Sequence, residues 1–123
     1  DRLIERQIQG GTDAIVVCGP TGEAATLSYN ERMALIERCV RTVDRRVPVI
    51  AGSGTNSTAS SIALSKAAQS AGVDALLTVT PYYNKASQSG LVQHFSAIAD
   101  AVDVPDILYN VPSRTGVGSV RCV

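Results

Sequence analysis

Three segments of this chain place side chains able to hold or move charge directly after apolar runs. The first, Ile107-Leu-Tyr-Asn-Val-Pro-Ser-Arg-Thr-Gly116, leads from an apolar run through a tyrosine and an X-Pro turn to an arginine. Tyr109 offers a phenol for proton transfer. Arg114 offers a permanently charged fork that matches a carboxylate bidentately. In Cys18-Gly-Pro-Thr-Gly-Glu23 the glycines permit a tight backbone whose N–H groups cradle a small anion. In Thr78-Val-Thr-Pro-Tyr-Tyr-Asn84 two adjacent aromatics follow a proline. Each has a plain alternative: a βα turn shaped by its glycines, a core tyrosine with a bonded hydroxyl, an exposed loop arginine, or aromatics that merely pack or form interface area.

The elements that must position these residues are legible from hydrophobic patterning. Residues 13–18, 47–51, 75–79 and 106–109 are continuous apolar runs, as expected of parallel strands buried on both faces. Their ends recur at close to the βαβ spacing of about 30 residues. In such folds ligands sit at the carboxyl ends of the strands, which is where all three segments fall. Helical patterns fill the gaps. An initial helix carrying Leu3, Ile4 and Ile8 closes at Gly10-Gly11. Ser28-Tyr-Asn-Glu31 reads as a capping box. The helix it opens sets Leu35, Ile36, Cys39, Val40 and Val43 on one stripe, with arginines opposite. An Ala/Ser-rich helix near 58–71 ends at Gly72. The next, capped by Ser87, carries Leu91, Phe95, Ile98 and Val102. Alternating units of this kind fit a doubly wound sheet or a (β/α)8 barrel, and periodicity does not choose between them.

Bulk properties narrow the function classes. The 123 residues make one domain at most, and eleven basic residues offset eleven acidic ones. That balance leaves no electrostatic footprint for nucleic acid or an anionic membrane. No apolar stretch approaches a transmembrane length. Cys18, Cys39 and Cys122 are widely spaced and lack metal-ligand spacing, so reduced thiols in a cytoplasmic protein are expected. A reactive Cys18 at a strand end is the alternative. No cluster points to a metal and no phosphate-binding GxGxxG follows a strand, so no metal or cofactor is expected. The lone His94, on a helix beside Phe95, is expected at the surface.

Taken together, the GxTGE loop, the TPYYN loop and the run Tyr109-Asn-Val-Pro-Ser-Arg-Thr-Gly116 resemble the dihydrodipicolinate synthase family, within the pyruvate-dependent Schiff-base aldolases and lyases. The resemblance runs from about Ile8 to Val117. It implies a (β/α)8 barrel, and since such barrels need about 250 residues, residues 1–123 are expected to form one partial domain. About half of the barrel would be present, four parallel strands with helices, and its C-terminal half missing. It implies the condensation of pyruvate with aspartate semialdehyde in the diaminopimelate route to lysine. By this resemblance Thr21, with Gly22, holds the pyruvate carboxylate, Tyr109 sits over the Schiff base and helps move protons, and Arg114 holds the carboxylate of the aldehyde. Tyr83 completes a neighbouring subunit's proton relay across a contact at which Tyr82 also packs, implying a homo-oligomer, a dimer or tetramer. Glu23 braces its loop, and Asn56 matches a contact to the inhibitor lysine.

Several positions depart from the family pattern. The relay's first threonine is replaced by Pro20, which has neither hydroxyl nor N–H. Tyr29 and Ser60 stand where strongly feedback-inhibited relatives have histidine and glutamate. The Schiff-base lysine is expected on the strand after Tyr109, about 30 residues on, and Lys66 and Lys85 match no catalytic position. The chain is therefore expected to be inactive alone. Two other readings remain: another aldolase of the superfamily, such as a sialate or 2-keto-3-deoxygluconate lyase, against which Ser-Arg-Thr-Gly argues, and an inactive half-barrel serving as an association module.

Overall fold

The computed structural model describes residues 1–118; Cys122 and the end of the tail after Gly118 lie outside the described residues. Helix α1 (Arg2–Gln9) is followed by β1 (Ile15–Val17), α2 (Tyr29–Val43), β2 (Val49–Gly52), α3 (Thr58–Ala71), β3 (Ala75–Val79), α4 (Gln88–Ala99), β4 (Asp106–Tyr109) and one helical turn, α5 (Pro112–Thr115). The four strands pair in parallel in the order β1-β2-β3-β4. A doubly wound sheet reverses its order at a switch point. Here each strand lies beside the next in sequence, which is how a barrel wall is laid down.

Two strands are displaced from the apolar runs that predict them. The second run begins at Val47, but Pro48 has no N–H to give the ladder, and the strand starts at Val49. The first run extends to Cys18, whose left-handed backbone (φ 56°) turns the chain out of the sheet after Val17.

Register and packing separate the two faces of the sheet. Ile15, Val17, Val49, Ala51 and Leu76 share the face on which Ile36, Cys39 and Val43 of α2 and Ala68 of α3 pack. Leu91, Phe95 and Ile98 of α4 are buried as the pattern requires. Each fully buried aliphatic side chain contributes about 1.5–3 kcal/mol, so this helix-covered face carries most of the core. Among the described residues no helix covers the other face: Val16 and Ile107 are 50% and 45% exposed, and Leu108, on the covered side of the last strand, is still 42% exposed.

The helices begin where their caps dictate. The Ser28 hydroxyl accepts from the Glu31 N–H (3.3 Å), while a Glu31 carboxylate oxygen accepts from the Ser28 N–H (2.9 Å). Ser87 accepts from Gly90 N–H (3.2 Å), and Ser57 caps α3 through Ser60 N–H (3.3 Å). Gly72 closes α3 at φ 94°. Three side chains depart from their expected positions. Leu35 is exposed rather than part of the buried stripe. Arg32 is buried, although the arginines of α2 are expected on its solvent side. His94 is only 6% exposed, set edge-on to Phe95 and bonded through Nδ1 to the Thr58 hydroxyl (2.8 Å). Three residues after Leu91 and four before Ile98, it is in phase with the buried stripe of α4, and its polar character is what suggests the surface.

Candidate functional site

The loops that leave the carboxyl ends of β1, β2, β3 and β4 meet over the sheet. Their approach is set by backbone. A Cβ on Gly52 would lie 2.0 Å from the Cys18 carbonyl oxygen, and one on Gly54 would lie 2.5 Å from the Val79 nitrogen. Only glycine lets these strand ends come so close. Four non-glycine residues in the loops after β1 and β3 take positive φ: Cys18 (56°), Glu23 (59°), Tyr83 (72°) and Lys85 (48°). Such conformations persist where surrounding structure over-determines them, and they gather at functional loops.

Beneath these loops lies a cavity of about 180 Å³, lined by Cys18, Thr21, Arg32, Tyr82, Tyr109 and Arg114 with small and apolar neighbours. Among the described residues no aspartate, glutamate or lysine lines it, whereas two guanidinium groups do. The volume is below the roughly 300–1,000 Å³ of pockets that take drug-sized ligands. A small acid of a few carbons matches it in both size and charge.

Each candidate residue has a definite place. Thr21 sits in a 3-10 turn, Pro20–Gly22, where proline at the first position sacrifices no useful N–H. Neither the N–H nor the hydroxyl of Thr21 is engaged among the described residues. Gly22 differs: its N–H donates to the Gly19 carbonyl (3.0 Å), so it is not a free arm of an anion cradle, and Gly22 lines a shallower neighbouring concavity with Thr21. Among the described residues the carboxylate of Glu23 has no hydrogen-bond or ion-pair partner. It is the Glu23 carbonyl that holds the loop, accepting from Thr26 N–H (2.9 Å) and the Thr26 hydroxyl (2.8 Å). Tyr109 is fixed through its carbonyl, which accepts from Thr80 N–H (3.1 Å) and the Thr80 hydroxyl (3.3 Å). Arg114 rides on α5, whose turn is tied by Arg114 and Thr115 N–H groups to the Val111 carbonyl (2.9 and 3.1 Å).

Tyr82 and Tyr83 part company. Tyr82 enters the cavity, whereas Tyr83 is 91% exposed and lines an outer concavity with Lys85 and Arg114. Asn56 is occupied: its amide donates to Asn84 Oδ1 (3.3 Å), and Asn84 Nδ2 donates to the Asn56 carbonyl (2.7 Å). That reciprocal clasp ties the loop after β2 to the loop bearing both tyrosines. Tyr29 and Ser60 are exposed.

Arg32 is the lining residue that pattern reading misses. It is 6% exposed, and its guanidinium donates to the Ala24 carbonyl at 2.5 Å. A signal was present: Arg32, Ile36, Cys39 and Val43 follow at steps of four, three and four, so Arg32 is in phase with the buried stripe. Cys18 is half-buried, and its Sγ–H points at the Arg32 carbonyl (3.9 Å). Burial pushes its pKa up, outweighing the opposing effect of the Arg32 charge, and burial likewise raises Cys39. Such thiols are poor nucleophiles at neutral pH, so Cys18 acts here as a wall. Lys66 lies exposed on α3 and Lys85 in the outer concavity, so neither lines the cavity. Among the described residues no helix is long and apolar enough to cross a membrane, and no three His, Cys, Asp or Glu side chains gather as a metal site.

Known proteins share this arrangement. A sequence profile described as the Dihydrodipicolinate synthetase family matches residues 1–119. The 4-hydroxy-tetrahydrodipicolinate synthase of Geobacter metallireducens is 61% identical over 115 residues, 94% of this chain and 40% of the relative. A Clostridium acetobutylicum 4-hydroxy-tetrahydrodipicolinate synthase is 54% identical over 116 residues, again 94% and 40%. The crystal structure of dihydrodipicolinate synthase from Bacillus anthracis superposes with a TM-score of 0.93 at 53% identity, covering 95% of this chain and 40% of that one. That of a chloride-inhibited dihydrodipicolinate synthase from Acinetobacter baumannii, complexed with pyruvate, gives 0.93 at 55% identity over the same shares. The chain thus spans about 40% of the length of these relatives, and its four strands and helices are the corresponding half of a (β/α)8 barrel. By profile, identity and superposition alike, the chain belongs to the dihydrodipicolinate synthetase family.

Proposed function

We propose that this chain carries the substrate-holding half of a 4-hydroxy-tetrahydrodipicolinate synthase, a cytoplasmic lyase that condenses pyruvate with aspartate semialdehyde on the route to lysine. One observation supports this above the others. Thr21, Tyr82, and Tyr109 with Arg114, drawn from the three strand-end segments, converge on one small cavity that has cationic groups and, among the described residues, no acid.

In this reading the Thr21 N–H and hydroxyl take the pyruvate carboxylate, and the bare Gly22 leaves the loop mouth open. An amine on a residue beyond these 123 attacks the keto carbon, losing water to form an imine. Loss of a methyl proton then gives the enamine that attacks the aldehyde carbon. The Tyr109 phenol lies over that centre and relays the protons. Arg114, at the rim between the cavity and the outer concavity, grips the carboxylate of the incoming aldehyde with its planar fork.

Pro20 lines the same cavity and supplies no hydroxyl, so a relay through that position runs through water. In this reading Tyr83, extended into solvent, reaches a second subunit of a homo-oligomer, while Tyr82 lines the cavity close to that contact. The Asn56–Asn84 clasp braces that tyrosine loop, which gives Asn56 a positioning role and leaves the inhibitor lysine no carboxylate partner at Ser60.

Pyruvate titrated onto the chain, followed through the line broadening of its methyl signal, tests the reading. Binding at millimolar concentrations that Thr21→Val weakens about tenfold is the expected result, on the scale of one charge-assisted hydrogen bond. Borohydride should trap no adduct on Lys66 or Lys85. Pyruvate binding unaffected by Thr21→Val, or a stoichiometric adduct on either lysine, would overturn it.

A further inference from the structure

Arg32 poses a problem that the assigned roles leave open. Its guanidinium is buried, yet no carboxylate faces it: the ion pairs among the described residues are Arg38–Asp1 and Arg46–Glu5. Burying an unpaired charge is costly. Its position adds a second cost, because Arg32 lies in the first turn of α2, where the helix dipole favours anions. The neighbouring Glu31 does not help, since its carboxylate is held in the exposed capping box with Ser28. Of the five N–H donors of the guanidinium, one goes to the Ala24 carbonyl. The others are not sealed in the protein, for among the described residues the side-chain polar atoms that are both buried and unpartnered are His94 Nε2 and an oxygen of Asp106. Arg32 lines the cavity, so its uncommitted donors open onto that space.

We propose that Arg32 is a second anion-holding residue of the cavity, its guanidinium forming the floor of a subsite for a small monocarboxylate. The ligand offsets both costs. It supplies the missing counter-charge and sits near the positive end of α2. The identity of that ligand as pyruvate rests on the function proposed above; the existence of an anion site rests on the cavity alone. Through the Ala24 bond, anion binding also couples to the 3-10 turns that carry Thr21.

The test uses the 123-residue chain and three probes: formate, pyruvate and the neutral ester methyl pyruvate. Affinities come from ligand-detected nuclear magnetic resonance, which tolerates self-association. Arg32→Gln should weaken formate and pyruvate about tenfold or more and leave methyl pyruvate within twofold. Arg32→Lys keeps the charge but loses the fork, and should weaken the two anions about threefold. Should Arg32→Gln fail to fold by circular dichroism, Arg32→Lys decides. Anion binding within twofold of the parent in the folded variants overturns the proposal. Formate bound through Arg32 with no pyruvate binding would sink the synthase reading and leave the anion site standing. Pyruvate bound through Thr21 but indifferent to Arg32 would do the reverse. Binding of neither anion would sink both.

Discussion

Replacing Gly52 by alanine tests how the fold makes the site. The new Cβ would meet the Cys18 carbonyl oxygen at 2.0 Å, its carbon at 2.7 Å and the Gly19 Cα at 3.2 Å. An ordinary contact begins near 3.4 Å, so about 1.4 Å of overlap must be absorbed. All three neighbours are backbone, and no rotamer change relieves them. Gly52 is itself pinned to Leu77, and β1 is pinned to β2 by the Val17–Ala51 pair just before Cys18. Relief therefore costs overpacking strain of about 1–3 kcal/mol plus a ladder hydrogen bond of about 0.5–1.5 kcal/mol. A total of about 1.5–4.5 kcal/mol is a large part of the roughly 5–15 kcal/mol that a domain has to lose. Urea unfolding at low protein concentration, followed by circular dichroism, measures it. Gly22→Ala is the control, because nothing lies within 4 Å of its added methyl, and it should stay within about 0.5 kcal/mol of the parent. The same displacement moves Gly19 and the Thr21 turn, so any variant that still folds should also lose pyruvate affinity. A Gly52→Ala midpoint equal to that of the parent would refute the argument that backbone contact sets this loop.

Three further outcomes follow from buried or exposed groups. His94 is the single histidine, and burial holds its pKa below the ordinary value, so the folded state takes up its proton later than the unfolded state does. The stability it confers is complete above pH about 6.5 and declines as pH falls below that; unfolding midpoints at pH 7 and 5.5 should converge in His94→Gln, and an unchanged slope would remove His94 as the cause. Asp106 has the opposite sign: burial raises its pKa against the lowering effect of the Thr78 hydrogen bond, so its ionised form is a liability at neutral pH. Asp106→Asn keeps an acceptor for Thr78 and should stabilise the chain by up to about 1 kcal/mol at pH 7, an advantage that shrinks in acid; a destabilised variant would contradict this. Finally, β1 and β4 are edges, and the uncovered face exposes Val16 and Ile107, so the chain should self-associate through them, and a monomeric species in sedimentation at micromolar concentration would count against it.

The strands, the helix caps and the three strand-end motifs were legible in the sequence because each rests on local rules. Ser28, Ser87, Gly10 and Gly72 mark helix ends by chemistry confined to a few neighbouring residues. What escaped has a tertiary cause. Gly52 and Gly54 look like ordinary turn residues until neighbouring strand ends come within contact distance. His94 and Arg32 both sit in phase with buried stripes, but polar character outweighs phase when a helix is read by hydropathy. Gly22 shows the opposite error: a glycine-rich turn implies free N–H groups, and the 3-10 geometry consumes the one at Gly22. The choice between barrel and doubly wound sheet was also closed to periodicity, since both share the βα repeat and differ only in which strands become neighbours.

Where the sequence looks least stable locally, the site is being built. Cys18 leaves β1 in a left-handed conformation that costs a non-glycine residue about 1–2 kcal/mol. That turn aims its carbonyl at Gly52 and brings the Thr21 loop across the sheet. Tyr83 and Lys85 carry similar strain in the loop that the Asn56–Asn84 clasp holds in place. Arg32 adds a buried charge at the unfavourable end of a helix. Each of these would be removed by selection for stability alone, and each is confined to the carboxyl ends of the strands. The opposite ends of the sheet carry ordinary connections, with Asp74 accepting from Val49 N–H (2.8 Å) to tie β2 to the start of β3, together with local costs of their own at Asp44, Arg45 and the buried Asp106. The difference between the two ends lies in what the strain does: at the amino ends Asp44 and Arg45 (φ 47° and 59°) only close α2 ahead of β2, whereas at the carboxyl ends the strained residues stand in the loops around the cavity.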